Sequence, residues 1–221
     1  IILSDAEFEK SIRAGVDSCM SNTGQSCNAP TRMLVPEARK DDAYAIAKDA
    51  AEKVVAGDPK KDGTTIGPLV SDVQYEKVQN LIQKGIDEGA KLLIGGTGKP
   101  QGLEKGYYAK PTIFADVEND MTISKEEIFG PVLSMITYEN IDDAVAIAND
   151  TEYGLAAYVS GENKETLTSI ARRLRAGQIH INYGSAGPDA PFGGFKQSGN
   201  GREKAEWGLE EFLEVKAIMG T

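Results

Sequence analysis

Cys27 is the residue whose surroundings best suit covalent chemistry. It lies in a run of small residues, Asn-Thr-Gly-Gln-Ser-Cys-Asn-Ala-Pro at positions 22–30, between a predicted helix and a predicted strand. A cysteine in such a turn is accessible, lets a ligand approach closely and can receive backbone N–H donors, which are conditions that favour a thiolate nucleophile. The alternative is a free loop cysteine without a function, since most free cysteines are packing residues.

The second cysteine and the single histidine give weaker signals. Cys19 lies on the apolar face of a predicted helix, so we expect it in the core. Alternation over positions 178–182 puts His180 on the face opposite its isoleucine neighbours, and we predict a structural role for it. Asn182, at the carboxyl end of that strand, is better placed for a site. With two cysteines, one histidine and no Cys-x-x-Cys pair, the sequence predicts no metal site.

The elements that must position Cys27 follow from the periodicity. Ser4 and Glu7 have the spacing of a capping box, and helical spacing of apolar residues predicts a helix from Phe8 to Met20. Further helices are predicted over 43–55, 71–86, 141–148 and 163–174, and strands over 31–35, 91–94, 112–114, 132–138, 156–159 and 178–182. The regular alternation from Val132 onwards predicts an α/β fold, a three-layer domain with a mostly parallel sheet covered by helices.

The C-terminal part differs in character from the rest. Residues 184–201 form a long loop rich in glycine and proline, and a loop of that length is usually functional. Residues 212–218 alternate like a strand without an obvious partner in the chain, which favours pairing with a second chain. We therefore divide the sequence into a thiol-bearing domain over 1–208 and an oligomerisation strand over 209–221.

Composition excludes several classes of protein. The chain has 221 residues, 40% of them hydrophobic, with 24 Lys and Arg against 34 Asp and Glu, for a net charge of −10. This acidity argues against nucleic-acid binding. No apolar run approaches the roughly 20 residues that a membrane span needs, and no signal-peptide pattern is present. The cysteine content fits a reducing, cytoplasmic compartment.

The first residues resemble the end of a strand, so we expect the chain to begin within a larger protein.

Four segments, in order, carry a resemblance. They are Gly-Gln-Ser-Cys at 24–27 followed by Arg32, Gly-Tyr-Tyr-Ala-Lys-Pro-Thr at 106–112, Glu-Glu-Ile-Phe-Gly-Pro-Val at 126–132, and Pro-Phe-Gly-Gly-Phe-Lys-Gln-Ser-Gly at 191–199 with Gly-Arg-Glu at 201–203. Together they resemble the NAD(P)-dependent aldehyde dehydrogenase superfamily. The resemblance covers roughly the C-terminal half of that family's chain.

The resemblance implies a role for four residues. Cys27 would be the catalytic nucleophile, adding to an aldehyde to give a thiohemiacetal and, after hydride transfer, a thioester, with its own backbone N–H facing the oxyanion. Glu127 would bind the ribose hydroxyls beside the nicotinamide, and Phe129 would pack beside the ring. Phe192 would line the substrate channel. The alternatives are a solvated surface charge for Glu127 and a loop anchor in the core for Phe192.

The resemblance also implies what the chain lacks. The family's nucleotide-binding domain and general base would lie before Ile1, so we expect the isolated chain to be inactive, with an incomplete site for NAD or NADP. The expected partners are a small-molecule aldehyde, the N-terminal half, and further copies of the chain through the tail strand. Two alternatives stay open: half of an acylating enzyme that uses coenzyme A, and a non-catalytic oligomerisation or antigenic module.

Overall fold

Two groups of hydrogen-bonded strands form the centre of the structure, a computed structural model that describes residues 1–220. The first group has the order β1-β4-β3-β2, and the second pairs β5 with β6. All pairs are parallel except β2 with β3. The strands are β1 (Arg32–Pro36), β2 (Lys91–Ile94), β3 (Thr112–Ala115), β4 (Val132–Tyr138), β5 (Ala156–Val159) and β6 (Gln178–Ile181). The predicted mostly parallel sheet is confirmed, with β2 as its antiparallel edge.

Residues 1–3 connect the two groups of strands. The Ile2 N–H donates to the Leu34 carbonyl of β1 at 2.9 Å, and the Leu3 N–H donates to the Ser160 carbonyl at 2.9 Å. The Ser160 N–H in turn donates to the Ile1 carbonyl. These residues therefore have the strand-like pairing that the sequence predicted, and they lie between β1 and β5.

Helices cover both faces of the first group of strands, because side chains alternate along each strand. In β1, Met33 and Val35 pack with α1 and α2, whereas Leu34 packs on the opposite face with α3, α4 and α5. The predicted three-layer arrangement is thus confirmed. The helices are α1 (Phe8–Met20), α2 (Lys40–Glu52), α3 (Asp72–Asp87), α4 (Thr122–Lys125), α5 (Ile141–Asn149), α6 (Lys164–Arg173) and α7 (Ala205–Glu210).

The predicted capping box at the start of α1 is wrong. The helix begins at Phe8, and no side chain caps its first turn. Because the Leu3 backbone is held by Ser160, the chain first makes a turn in which the Ala6 N–H donates to the Leu3 carbonyl at 3.2 Å. Ser4 is therefore too early to cap the helix.

The C-terminal segment forms no strand ladder within residues 1–220. Residues 213–220 have no regular secondary structure, and large apolar side chains are exposed over 212–219, among them Phe212 at 87% and Val215 at 100%. Pairing of this segment with a second chain stays a prediction, and its last residue, Thr221, lies outside the described residues. None of the helices over residues 1–220 is long and apolar enough to cross a membrane.

Candidate functional site

The two cysteines have opposite environments. Cys27 is exposed, whereas Cys19 is fully buried in the core beside α2 and β4. The Cys19 thiol donates to the Val132 carbonyl at 3.5 Å, and burial raises the pKa of this thiol to about 12. Cys19 is therefore a packing residue, as the helical periodicity predicted, and Cys27 is the accessible thiol.

A β-turn carries Cys27. The Ala29 N–H donates to the Ser26 carbonyl at 3.0 Å, which leaves Cys27 as the second residue of the turn. Tyr158 of β5 fixes the same turn from the other side, because its hydroxyl donates to the Asn28 carbonyl at 2.9 Å. The Cys27 side chain itself makes no hydrogen bond within residues 1–220. The thiol is thus free while its backbone is held.

The approach to this turn has an unusual backbone. Asn22, Thr23 and Gly24 are successive left-handed residues, with φ values of 51°, 59° and 71°. A β-branched threonine rarely adopts this conformation. Here the Thr23 hydroxyl donates to the Gly67 carbonyl at 3.1 Å, and the Gln25 side chain accepts from the Val70 N–H at 2.9 Å. These contacts hold the turn against the segment that precedes α3.

Gly24 brings the turn that carries Cys27 against the segment at 126–132. A Cβ atom at this position would overlap the carbonyl of Gly130 and crowd the nitrogen of Pro131. Only glycine combines this close approach with a φ of 71°. The turn that carries Cys27 is therefore packed directly on the segment that carries Glu127 and Phe129.

The segment with Glu127 and Phe129 is fixed through its backbone. Gln74 of α3 donates both to the Ile128 carbonyl at 3.0 Å and to the Phe129 carbonyl at 2.8 Å. Phe129 has a φ of 56°, and buried Ile128 anchors the segment in the core. The Glu127 side chain is exposed and makes no hydrogen bond or ion pair within the described part of the chain. Its carboxylate is free to accept two hydroxyl groups.

Cys27, Glu127 and Phe129 line one cavity of about 380 Å³. Of the predicted site residues, the structure brings these three together. Phe192 is outside the lining of this cavity, in a two-residue bridge with Glu203 whose N–H···O distances are 3.0 and 2.7 Å. Its predicted contribution to a substrate channel therefore stays a prediction.

His180 and Asn182 support neighbouring backbone. The His180 ring stacks on Tyr158 with 4.7 Å between ring centroids, and its Nδ1 lies 2.8 Å from the Gly184 carbonyl. The Asn182 side chain forms two hydrogen bonds of 3.0 Å with the backbone of Gly161. The position of His180 agrees with its predicted structural role, whereas Asn182, which the sequence placed nearer a site, holds the Gly161 backbone and is outside the lining of the cavity that contains Cys27.

Sequence reasoning missed Tyr158 and Gln74 as supports of the site. Tyr158 could have been found, because its register partner in β6 is His180 and both lie on the same face of the strand pair. Burial, and then the proximity of Cys27, raise the pKa of Tyr158, so its hydroxyl stays protonated and can donate. For Gln74 the sequence indicated only a position near the start of the helix predicted over 71–86. The Ser71 hydroxyl indeed accepts from the Gln74 N–H at 3.2 Å, but the glutamine side chain reaches Phe129 instead.

Comparison with known proteins places this arrangement in context. The model of the aldehyde dehydrogenase family matches residues 1–218. A protein of Staphylococcus haemolyticus, named as a candidate aldehyde dehydrogenase, is 54% identical over 220 residues, which are 100% of this chain and 46% of the relative. The chain therefore spans about half the length of the curated relatives it matches.

Solved structures resemble the chain closely. A cysteine-to-alanine mutant of aldehyde dehydrogenase C from Pseudomonas syringae, in complex with NAD⁺ and octanal, is 52% identical with a TM-score of 0.96 over 98% of this chain and 45% of that chain. Aldehyde dehydrogenase from Bartonella henselae is 50% identical with a TM-score of 0.95 over the same shares. The Mycobacterium tuberculosis enzyme with NAD⁺ is 44% identical, with a TM-score of 0.92 over 96% of this chain and 44% of that chain.

Proposed function

Because the chain belongs to the aldehyde dehydrogenase family, we propose that it is the thiol-bearing half of an NAD(P)-dependent enzyme that oxidises an aldehyde to a carboxylic acid. The observation that carries the proposal is the exposed thiol of Cys27, in a turn packed against the Glu127–Phe129 segment in one cavity. The relative from P. syringae, in which a cysteine is replaced by alanine, holds both NAD⁺ and octanal. This supports an aldehyde and a nicotinamide cofactor as the ligands.

Cys27 performs the covalent part of the proposed reaction. Its thiolate sulfur forms a bond to the carbonyl carbon of the aldehyde, and the carbonyl electron pair moves onto oxygen to give a thiohemiacetal. The Cys27 N–H is available to stabilise that oxyanion, since it donates to no acceptor within residues 1–220. After the carbon loses a hydride, Cys27 holds a thioester. Attack by water on the thioester carbon breaks the carbon–sulfur bond and releases the acid and the thiol.

The cofactor end of the cavity fits a nicotinamide riboside. When bound, NAD(P) supplies the acceptor for the hydride of the aldehyde carbon. The Glu127 carboxylate has both oxygens free for the ribose hydroxyls, and Phe129 offers a ring next to a backbone carbonyl that accepts from Gln74. The described residues favour neither of the alternatives, the coenzyme A-dependent enzyme or the non-catalytic module.

The nucleophile can be tested without cofactor or hydride transfer. 4-Nitrophenyl acetate transfers its acetyl group to a reactive thiolate, with formation of the sulfur–carbon bond and loss of nitrophenolate. We expect one acetyl group on the peptide that contains Cys27, none on the peptide that contains Cys19, and no nitrophenolate burst from Cys27→Ala. Equal modification of both cysteines, at the rate of the denatured chain, would contradict a preorganised nucleophile.

The proposal extends to the surroundings of this half. We propose that aldehyde oxidation requires the remaining half of the enzyme, so the 221-residue chain alone should form no NAD(P)H from an aldehyde; steady formation would refute this. A cytoplasmic location and a homo-oligomer assembled through residues 209–221 belong to the same proposal. Two free cysteines in residues 1–220 and the exposed apolar tail support them. A monomer at high concentration in sedimentation would argue against the oligomer.

A further inference from the structure

The carboxyl end of α5 collects cationic side chains from three separate segments. The last carbonyls of a helix have no partners within the helix, and the helix dipole makes this end negative. Each of three cations donates to at least one carbonyl at this end: Arg32 to Ile147 at 2.9 Å, Lys125 to Asp150 at 2.8 Å, and Lys196 to Asn149 at 2.7 Å and to Thr151 at 2.9 Å. We call the group Arg32, Lys125, Asp150 and Lys196 the α5 junction.

Asp150 supplies the negative charge of the junction. Its carboxylate accepts from Lys125 at 2.6 Å and from the Asn119 amide at 2.6 Å. Asn119 also accepts from Arg32 at 2.8 Å, so it connects the arginine to the carboxylate. The hydrogen bond from Lys125 is the main cause that lowers the pKa of Asp150. Lys125 directly, and Arg32 through Asn119, are therefore joined to the Asp150 carboxylate, and Lys196 meets them at the helix end through the Asn149 and Thr151 carbonyls.

Each cation belongs to a segment of the proposed site. Arg32 begins β1, which follows the nucleophile turn, and Lys125 ends α4, two residues before Glu127. Lys196 lies in the C-terminal loop, whose next residues Gln197 and Ser198 line the cavity that contains Cys27. The junction is the place where the three segments are bound to one support.

We infer that the α5 junction is a positioning element that fixes the nucleophile segment, the Glu127 segment and the C-terminal loop relative to one another. Its members act through backbone placement and none of them is a catalytic residue. The inference rests on the proposed function, because its consequence is the placement of Cys27 beside Glu127. It requires that loss of one cation loosens the segments held by the other two.

Lys196→Met tests this coupling by hydrogen–deuterium exchange of the full chain. We expect exchange to rise about tenfold over residues 122–131 and 26–33, not only over the loop 191–201, because charge-assisted hydrogen bonds at the junction are lost. Lys196→Arg, which keeps a cationic donor, should restore slow exchange. Lys204→Met is the matched control, since the Lys204 ammonium lies 5.5 Å from the Phe192 ring centroid and away from the junction.

Two further measurements keep the outcomes distinct. If Lys196→Met does not fold, Asp150→Asn, which removes only the charge, should raise exchange over the same three segments. A rise confined to 191–201, or an equal rise in Lys204→Met, overturns the inference. Acetylation of Cys27 in the unmodified chain reports separately on the proposed function. Normal acetylation without coupled exchange would refute the junction and leave the function intact, and the reverse result would refute the function alone.

Discussion

Replacing Gly24 with alanine tests whether the close approach of two motifs builds the site. Gly24 has a φ of 71°, and a Cβ there would overlap the Gly130 carbonyl. The left-handed conformation costs alanine about 1–2 kcal/mol, and overpacking against fixed backbone adds about 1–3 kcal/mol. We therefore expect a loss of about 2–5 kcal/mol, which lowers Tm by about 4–20 °C in a domain of this size.

Gly63→Ala is the matched control for this substitution. Gly63 has a φ of 82°, but a Cβ there meets no atom within 4 Å. It should lose only the conformational part, about 1–2 kcal/mol. The difference between the stability losses of the two variants isolates the overlap between the turn that carries Cys27 and the Gly130 peptide.

Thermal and urea unfolding would measure the stabilities, and 4-nitrophenyl acetate would measure the reactivity of Cys27. The overlap must push the turn away from Gly130, so Cys27 should also be acetylated more slowly in the Gly24→Ala variant. In the Gly63→Ala variant, Cys27 should be acetylated at the normal rate. Equal losses of stability in the two variants, with unchanged acetylation, would show that the approach of the two motifs does not shape the site.

Two further outcomes follow from single side chains. Gln74→Ala removes two hydrogen bonds to the Ile128 and Phe129 carbonyls, worth about 1 kcal/mol each. It should therefore weaken binding of nicotinamide mononucleotide several-fold in an NMR titration. Gln79→Ala in the same helix should leave the affinity unchanged, and equal affinities in both variants would contradict the role of Gln74. Asp150 has a lowered pKa in the folded chain, so its stabilising effect is present above the unfolded pKa of about 3.9 and is lost as the pH falls through the folded pKa. Urea titrations should therefore show a smaller acid-induced loss in Asp150→Asn than in the unmodified chain, and an identical acid limb would rule this out.

Periodicity predicted the elements around the site because each is decided by neighbouring residues. The helix predicted over 71–86 agrees with α3, and the three layers followed from the regular succession of strands and helices after Val132. The predicted bounds of α1 were right, but the capping box at Ser4 was wrong because a distant contact, between Leu3 and Ser160, holds the chain before the helix. A sequence pattern indicates the conformation that neighbouring residues prefer. The prediction fails where hydrogen bonds to distant residues determine the local conformation.

The long-range contacts of the site's supports could not be predicted for the same reason, although the register partner His180 could have pointed to Tyr158. Tyr158 and Asn28 are 130 residues apart in sequence, and Arg32 is 115 residues from its acceptor Ile147. The Phe129 carbonyl accepts from Gln74 of α3, 55 residues earlier in the sequence. No sequence window contains both members of these pairs, so motif and periodicity can name Phe129 and cannot show what holds it.

The site can be both rigid and reactive because the backbone is held by one set of residues and the free side chains belong to another. The side chains of Cys27 and Glu127 have no hydrogen-bond partners within residues 1–220, whereas the backbone around each is fixed by residues outside the quoted motifs, such as Tyr158 and Gln74. A nucleophile and a ligand carboxylate that were satisfied by the protein would have to break those bonds before binding a substrate or a cofactor. Holding the backbone instead leaves both groups free and still limits where they can move. Substitutions at the supports should therefore change the placement of Cys27 and Glu127 without removing any reacting atom.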